Sequence, residues 1–86
     1  MKNRATGLYL DGAGRTTNGA AVGQYPASSS GNQQWSVVTD ANNVRIRNST
    51  TGEYLDGMGR TGSGAELGQY ADSGSANQRW RIIAAP

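Results

Sequence analysis

The sequence predicts an all-β domain made of two copies of one unit of about 45 residues. When the chain is shifted against itself by 45 residues, 20 of the 41 overlaid positions are identical, and no gap is needed. Short apolar segments alternate with turns that hold most of the 13 glycines, as in β-rich folds. No segment sustains the helical period of about 3.6 residues, so we expect no long helix.

Four short strands are expected in each copy. The strand that opens the second copy, residues 44–47, alternates apolar and charged side chains as a half-buried strand does. Residues 1–3 are its truncated counterpart, followed by a tight turn at residues 5–7, where Gly7 is free to adopt positive φ. The remaining strands are predicted at 8–10 and 53–55, at 21–25 and 66–70, and at 34–38 and 79–83.

The two copies divide the chain into residues 1–43 and 44–86, and four strands per copy fit either a propeller blade or a trefoil lobe. Leu, Ile, Val, Met, Trp and Tyr together supply only 19 residues to a core. A core of this size rarely stabilises a domain by more than about 3–5 kcal/mol. The chain has no cysteine for a disulfide and neither cysteine nor histidine for a zinc site, so oligomerisation or a further portion of chain is expected.

Charge and hydropathy argue against several partners. The net charge of +2 rests on eight scattered Lys and Arg residues, which gives nucleic-acid binding little support. No stretch approaches the roughly 18 apolar residues of a membrane span. Residues 1–4 lead into no apolar segment, so we expect no signal peptide in this chain. The sequence does not fix the location, and a natural protein is expected to be secreted.

Two motifs recur at the same places in both copies. Gly-x-Tyr-Leu-Asp ends at Asp11 and at Asp56, and Gln-x-Trp ends at Trp35 and at Trp80, with a Gly-Gln-Tyr segment between them. This succession resembles the ricin-B-type β-trefoil lectins and carbohydrate-binding modules over essentially the whole chain. The resemblance implies β-trefoil lobes, with the tryptophan of each Gln-x-Trp buried near a pseudo-threefold axis.

The chain departs from that family in having two lobes instead of three. Unpaired barrel edges would be costly, so we expect the trefoil to be completed by oligomerisation. Three chains carry six lobes, which make two complete trefoils, and a homo-trimer is therefore the first expectation. The other explanation, compatible with this one, is that the chain is an engineered protein or a fragment of a longer one.

The resemblance also implies a shallow sugar site in each copy. An aromatic ring packs on the C–H face of a pyranose, while carboxylate and amide groups bond its hydroxyls. A glutamine of Gln-x-Trp supports the carboxylate. The carboxylate, aromatic, amide and glutamine are Asp11, Tyr25, Asn32 and Gln33 in the first copy and Asp56, Tyr70, Asn77 and Gln78 in the second.

Each of these residues also has a purely structural interpretation. An aspartate before glycine is typical of a turn that bonds its own backbone, and tyrosines are ordinary strand residues. Arg15 and Arg60 lie near the aspartates and either reach a sugar or stay solvated. The recurrence of the whole set in both copies favours the functional interpretation, but glycine at 23 and 68, where many family members are polar, speaks against a galactose preference.

The sequence predicts carbohydrate binding without catalysis and without a cofactor. It lacks histidine and cysteine for acid–base or nucleophilic work. A glycosidase needs two carboxyl groups about 5–9.5 Å apart, and the two repeated aspartates belong to different lobes. Two alternatives stay open: nucleic-acid binding by Arg45, Arg47, Arg79 and Arg81, and a structural repeat protein that assembles into a symmetric oligomer with little or no ligand binding.

Overall fold

The structure is a computed structural model that describes residues 1–2 and 5–82. It is built from seven short strands and two 3₁₀ helices of three residues, Gly31–Gln33 and Ala76–Gln78. None of the helices in the described ranges is long and apolar enough to cross a membrane. The strands are β1 (Tyr9–Asp11), β2 (Ala20–Ala21), β3 (Gly23–Tyr25), β4 (Trp35–Asp40), β5 (Asn43–Asn48), β6 (Tyr54–Asp56) and β7 (Gly68–Tyr70).

The strands form two antiparallel sheets, one of which contains strands of both repeats. One sheet is the pair β1–β3, and the other has the order β2-β7-β6-β5-β4. Strand β2 of the first repeat pairs with β7 of the second, so β7 lies between two strands. In the described residues its counterpart, β3, is paired on one edge, with β1. The two repeats therefore have similar local structure but different surroundings.

A hairpin joins the repeats. Strands β4 and β5 pair over six positions, from Trp35 opposite Asn48 to Asp40 opposite Asn43. The two-residue turn between them places Ala41 at a φ of 55°, a left-handed conformation that is unfavourable for alanine. The division predicted between residues 43 and 44 stays a prediction, and this turn lies just before it.

The fourth strand predicted for the second copy at residues 79–83 is wrong within the described range. Trp80 makes a single bridge to Val44, and the described residues around it are in no strand; Ile83 lies outside the described residues. The reason is that β5 is already paired with β4 along one edge and with β6 at Arg47, so Trp80 reaches only the open stretch at Val44.

The other strands lie close to their predicted positions. The second strands are shifted by one residue, to Tyr9–Asp11 and Tyr54–Asp56. The predicted strand 21–25 is split into β2 and β3, and the strand predicted from residue 66 begins at Gly68. The predicted truncated strand at residues 1–3 is represented by Lys2, which bridges Tyr9 as Arg47 pairs with Tyr54. Asn3 lies outside the described residues. Gly7 has a φ of 72°, as the turn at 5–7 requires.

The fully buried side chains of the core are polar, whereas most of its apolar side chains border an open hollow. The buried apolar side chains are Ile46 and Leu55, whereas the side chains with no exposed surface are polar: Asn48, Gln69 and Gln78. Leu55 and four further aliphatic side chains line an open hollow of about 510 Å³: Leu8, Leu10, Val22 and Leu67. One side of the apolar core is therefore uncovered in the single chain.

The two tryptophans tie the end of each repeat to its second strand. The indole Nε1 of Trp35 donates to the Leu10 carbonyl at 3.0 Å, and that of Trp80 donates to the Leu55 carbonyl at 3.1 Å. Both indoles are half-buried, so their N–H groups satisfy backbone acceptors that have little access to water. The structure gives both tryptophans a structural role.

Glu53 is expected to limit stability at neutral pH. Its side chain is buried, and its Oε2 has no hydrogen-bond partner among the described residues. Burial raises the pKa of Glu53 above its usual value of 4.5. A carboxyl group whose pKa is higher in the folded state contributes stability below the unfolded pKa and loses that contribution as the pH rises through the folded pKa.

Glu53→Leu should therefore stabilise the fold above pH 5 more than at pH 4, because leucine, the residue at the equivalent position 8, removes the titrating group. Urea unfolding of both proteins at several pH values measures this. An equal gain at every pH would contradict the assignment.

Candidate functional site

In both repeats the aspartate anchors the turn that follows it. Oδ1 of Asp11 accepts the Ala13 N–H at 2.6 Å, and Oδ1 of Asp56 accepts the Met58 N–H at 2.7 Å. Ala13 and Met58 have φ values of 56° and 60°. A non-glycine residue in this left-handed region is strained, and such strain often accompanies functional sites. The turn interpretation is thus correct, and it also fixes the direction of each carboxylate.

Each Gln-x-Trp glutamine holds the second oxygen of its aspartate. In the second repeat, Nε2 of Gln78 donates to Oδ2 of Asp56 at 3.1 Å and to the Ala71 carbonyl at 2.9 Å. In the first repeat, Gln33 makes the same two bonds, at 3.1 Å to Asp11 and 2.8 Å to the Pro26 carbonyl. Gln78 has no exposed surface, and its bond holds the carboxylate in position.

The asparagines are brought beside the aspartates by the 3₁₀ helices. The hydroxyl of Ser75 caps its helix by accepting the Asn77 N–H at 3.1 Å, and the Asn77 carbonyl accepts the Gly57 N–H at 2.9 Å. The corresponding bonds of the first repeat are 3.1 Å and 3.0 Å long. These backbone bonds lock the asparagine against the turn that follows the aspartate, so the sequence spacing between them becomes a fixed geometry.

In the second repeat the predicted side chains meet at one depression. A shallow cavity of about 270 Å³ is lined by Asp56, Met58, Tyr70, Ser73, Ser75 and Asn77. Asp56 is buried in its floor, Tyr70 is half-buried, and Asn77 is exposed. A carboxylate, an aromatic ring and an amide therefore share one accessible surface, with Gln78 beneath them.

The first repeat has the same backbone arrangement, but its aromatic side chain is more exposed to solvent. Tyr25 is 45% exposed, and its ring lies over Gly23, 3.2 Å from where a Cβ would stand. Asn32 is half-buried, and its Oδ1 lacks a hydrogen-bond partner among the described residues. The strand that flanks β7 has no counterpart beside β3 in the described chain. The first site is therefore less formed than the second.

The glycines at 23 and 68 lie close to neighbouring side chains. A Cβ at Gly68 would stand 2.9 Å from Sδ of Met58, and one at Gly23 would meet the ring of Tyr25. No polar side chain fits at either position without displacing these groups. The departure from the usual family pattern therefore has a steric cause within each site.

The sequence did not single out three of the residues that line the second cavity: Met58, Ser73 and Ser75. The two serines could have been found, since both recur 45 residues earlier as Ser28 and Ser30. Met58 has alanine at the equivalent position, so no repeat signal marks it.

Arg15 and Arg60 have structural partners. Each donates through Nη1 to a carbonyl six residues on, that of Ala21 at 2.8 Å and that of Glu66 at 2.9 Å. These bonds brace the loop between the second and third strands of each repeat. A sugar contact is not needed to explain either residue.

The basic stripe considered for nucleic acid is largely engaged within the chain. Arg45 forms an ion pair of 2.8 Å with Asp72 and lies 3.9 Å from the centre of the Tyr54 ring. Its hydrogen bond lowers the pKa of Asp72. Nε of Arg79 donates to Asp40 at 3.1 Å, and Nε of Arg47 donates to the Gly52 carbonyl at 3.2 Å. No group of three or more potential metal ligands occurs in the part of the chain that the structure describes.

Comparisons with known proteins agree with this architecture. The model of the family described as "Ricin-type beta-trefoil lectin domain-like" matches residues 1–70 and 31–86. No curated protein matches the chain significantly. The crystal structure of ThreeFoil, a designed 3-fold symmetric protein, is similar to the chain with a TM-score of 0.90 and 34% sequence identity.

That alignment covers 98% of this chain and 62% of ThreeFoil, so the chain spans less than two thirds of the length of the protein it resembles. The sequence-based prediction of the family and of its all-β fold is confirmed. The chain belongs to the ricin-type β-trefoil lectin-like family and folds as an incomplete β-trefoil.

Proposed function

We propose that this protein binds carbohydrate, with one shallow site in each repeat and no catalytic activity. The observation that carries the proposal is the meeting of Asp56, Tyr70 and Asn77 at one cavity of about 270 Å³. These groups supply the acceptor, the stacking surface and the amide that a pyranose requires. The equivalent residues Asp11, Tyr25 and Asn32 form the more open site of the first repeat, and Gln33 and Gln78 position the carboxylates.

The carboxylate of Asp56 has acceptor positions for a ligand in addition to those that its turn uses. Each of its oxygens accepts one protein hydrogen bond, from Met58 and from Gln78. A carboxylate has about four acceptor positions, so about two stay available for sugar hydroxyls. The internal bonds fix the carboxylate before a ligand arrives, which reduces the entropy lost on binding.

The shallow cavity supports weak binding at each site. We expect micromolar to millimolar dissociation constants for a monovalent sugar. We further propose that the chain forms a homo-oligomer, a trimer first, in which several sites act together and raise the avidity. The protein needs no cofactor for this function.

Tyr70→Ala should weaken sugar binding at the second site by roughly tenfold or more, because it removes the stacking surface. Tyr70→Phe is the matched control, since it keeps the ring and loses only the hydroxyl, and it should change the affinity by less than about threefold. A glycan array identifies the sugar, and isothermal titration calorimetry gives the affinities. Equal affinity in the alanine variant and the parent protein would contradict the assignment of Tyr70.

The alternative is a structural repeat protein that binds no ligand. It is favoured by the internal bonds of both aspartates, which explain these residues without a sugar. An empty glycan array from a correctly assembled protein would support it. Binding that falls steeply with salt concentration would instead favour nucleic acid, because release of counterions dominates that interaction.

A further inference from the structure

The uncovered side of the core has a definite size and shape. Its hollow of about 510 Å³ is lined by apolar side chains of both repeats, among them Leu10 and Val22 from the first and Leu55 and Leu67 from the second. The chain covers 62% of a 3-fold symmetric protein, so the space left open corresponds to about one more repeat. We propose that one repeat of a second copy of this chain fills that space through the same contacts that join the two repeats within one chain.

The contacts inside the chain provide the template. Strand β2 lies beside β7, and the Val22 N–H donates to the Leu67 carbonyl at 3.2 Å. The residues equivalent to β2 are Ala65 and Glu66, which belong to no strand in the single chain. The strand equivalent to β7 is β3, which is paired on one edge within the described residues. Where the second repeat of one subunit is followed by the first repeat of another, residues 65–66 are therefore expected to pair with β3.

A glutamine shows the same correspondence in more detail. Gln69 has no exposed surface, and its Nε2 donates to the Gly12 carbonyl at 2.7 Å across the junction of the repeats. Its equivalent, Gln24, is exposed in the single chain. The Gly12 carbonyl accepts the Arg15 N–H as well as Gln69. The Gly57 carbonyl accepts the Arg60 N–H at 3.1 Å in the same way, and its second acceptor position is available for another glutamine. Where the second repeat of one subunit is followed by the first repeat of another, Gln24 is expected to donate to Gly57 of the partner subunit.

A side-chain contact between the repeats that involves Asn18 also agrees with this junction. Within the chain, Oδ1 of Asn18 accepts the Ala71 N–H at 3.0 Å. The equivalent residues are Ser63 and Pro26. Proline has no N–H to be satisfied, so the junction between subunits needs no asparagine there. The sequence difference therefore leaves no donor unpaired at this position.

The number of subunits follows from the number of repeats. Each chain carries two repeats and has space for one more. Three chains carry six repeats, which is the smallest number of chains whose repeats divide into complete units of three. One chain must then place its two repeats in different units. Since β4 belongs to the first repeat and β5 to the second, their hairpin has to open in that chain.

The turn of this hairpin is suited to opening. Ala41 has a φ of 55°, which is strained for alanine and not for glycine. Opening the turn removes this strain, and short strained hinge loops favour exchange of elements between subunits. The strain thus gives the bridging chain a specific hinge. This inference extends the oligomer proposed above and does not depend on sugar binding.

The mass in solution tests the assembly, measured by light scattering and native mass spectrometry over a range of protein concentrations. We expect three times the mass of one chain, with a dissociation to folded monomers on dilution. A folded monomer at all concentrations, or a dimer that never adds a third chain, would overturn the proposal.

Two variants test the contacts. Gln24→Ala should weaken association by about tenfold, because every junction in which a first repeat follows a repeat of another subunit loses a buried hydrogen bond. Gln34→Ala, on an exposed side chain, should leave association unchanged. Ala41→Gly should reduce the trimer by about fivefold, since it relaxes the closed hairpin. If Gln24→Ala associates like the parent protein, the junction is wrong, and if Ala41→Gly does so, the hinge is wrong. Sugar titration of the same samples reports separately on the proposed function.

Discussion

Replacing Gln69 by alanine is expected to remove about 2 kcal/mol from the free energy of unfolding. The side chain is fully buried and donates to the Gly12 carbonyl, so its loss leaves both a cavity and a weakened junction between the repeats. Its Oε1 has no partner among the described residues, which already reduces the net contribution of the amide. For a domain whose core supplies only about 3–5 kcal/mol, the change removes around half of the stability.

The same substitution at the equivalent position is the control. Gln24 is exposed in the single chain, so Gln24→Ala should leave the stability of the monomer nearly unchanged. Urea unfolding at a concentration low enough to keep both variants monomeric makes the comparison. Equal destabilisation by the two substitutions would show that the repeats are not joined as described.

Replacing Asp56 is expected to abolish sugar binding at the second site and to destabilise the fold. Asp56→Ala takes away the acceptor of the Met58 N–H and the partner of the buried Gln78 amide. Leaving buried donors unpaired in this way should destabilise the fold by about 1–3 kcal/mol. Calorimetric titration with sugar should detect no binding at this site, and circular dichroism should confirm that the variant is folded at the temperature used.

Asp56→Asn separates the two effects. The asparagine keeps an oxygen for the turn but directs an amide toward the amide of Gln78, so that two donors face each other. We expect loss of sugar binding with a smaller loss of stability than in the alanine variant. Full sugar affinity in folded Asp56→Asn would mean that this side chain serves the turn alone.

The fold could be predicted from the repeat because the same motif residues occur at equivalent positions in both copies. Gly-x-Tyr-Leu-Asp and Gln-x-Trp predicted that Gln78 supports Asp56, and the structure brings Nε2 of Gln78 to 3.1 Å from Oδ2 of Asp56. Such residues could be predicted because they act through bonds made inside one repeat. The same reasoning explains why the tryptophans were identified as structural.

The parts that could not be predicted depend on contacts between the repeats. The 79–83 strand was expected from its likeness to 34–38, but both edges of β5 are already used near its end. The difference between Tyr25 and Tyr70 likewise arises from the presence of β2 beside β7. A repeat shows what the copies share, whereas the surroundings of each copy are set by the assembled structure.

The central claim is that a saccharide occupies the cavity formed by Asp56, Tyr70 and Asn77. A nuclear magnetic resonance titration of the nitrogen-labelled protein with a panel of mono- and disaccharides tests it most directly. We predict dose-dependent shifts of the Met58, Tyr70 and Asn77 amide signals, with the Trp80 indole signal unchanged. Shifts centred on Trp80 or on the arginines of β5, or no shifts with any sugar in the assembled protein, would contradict it.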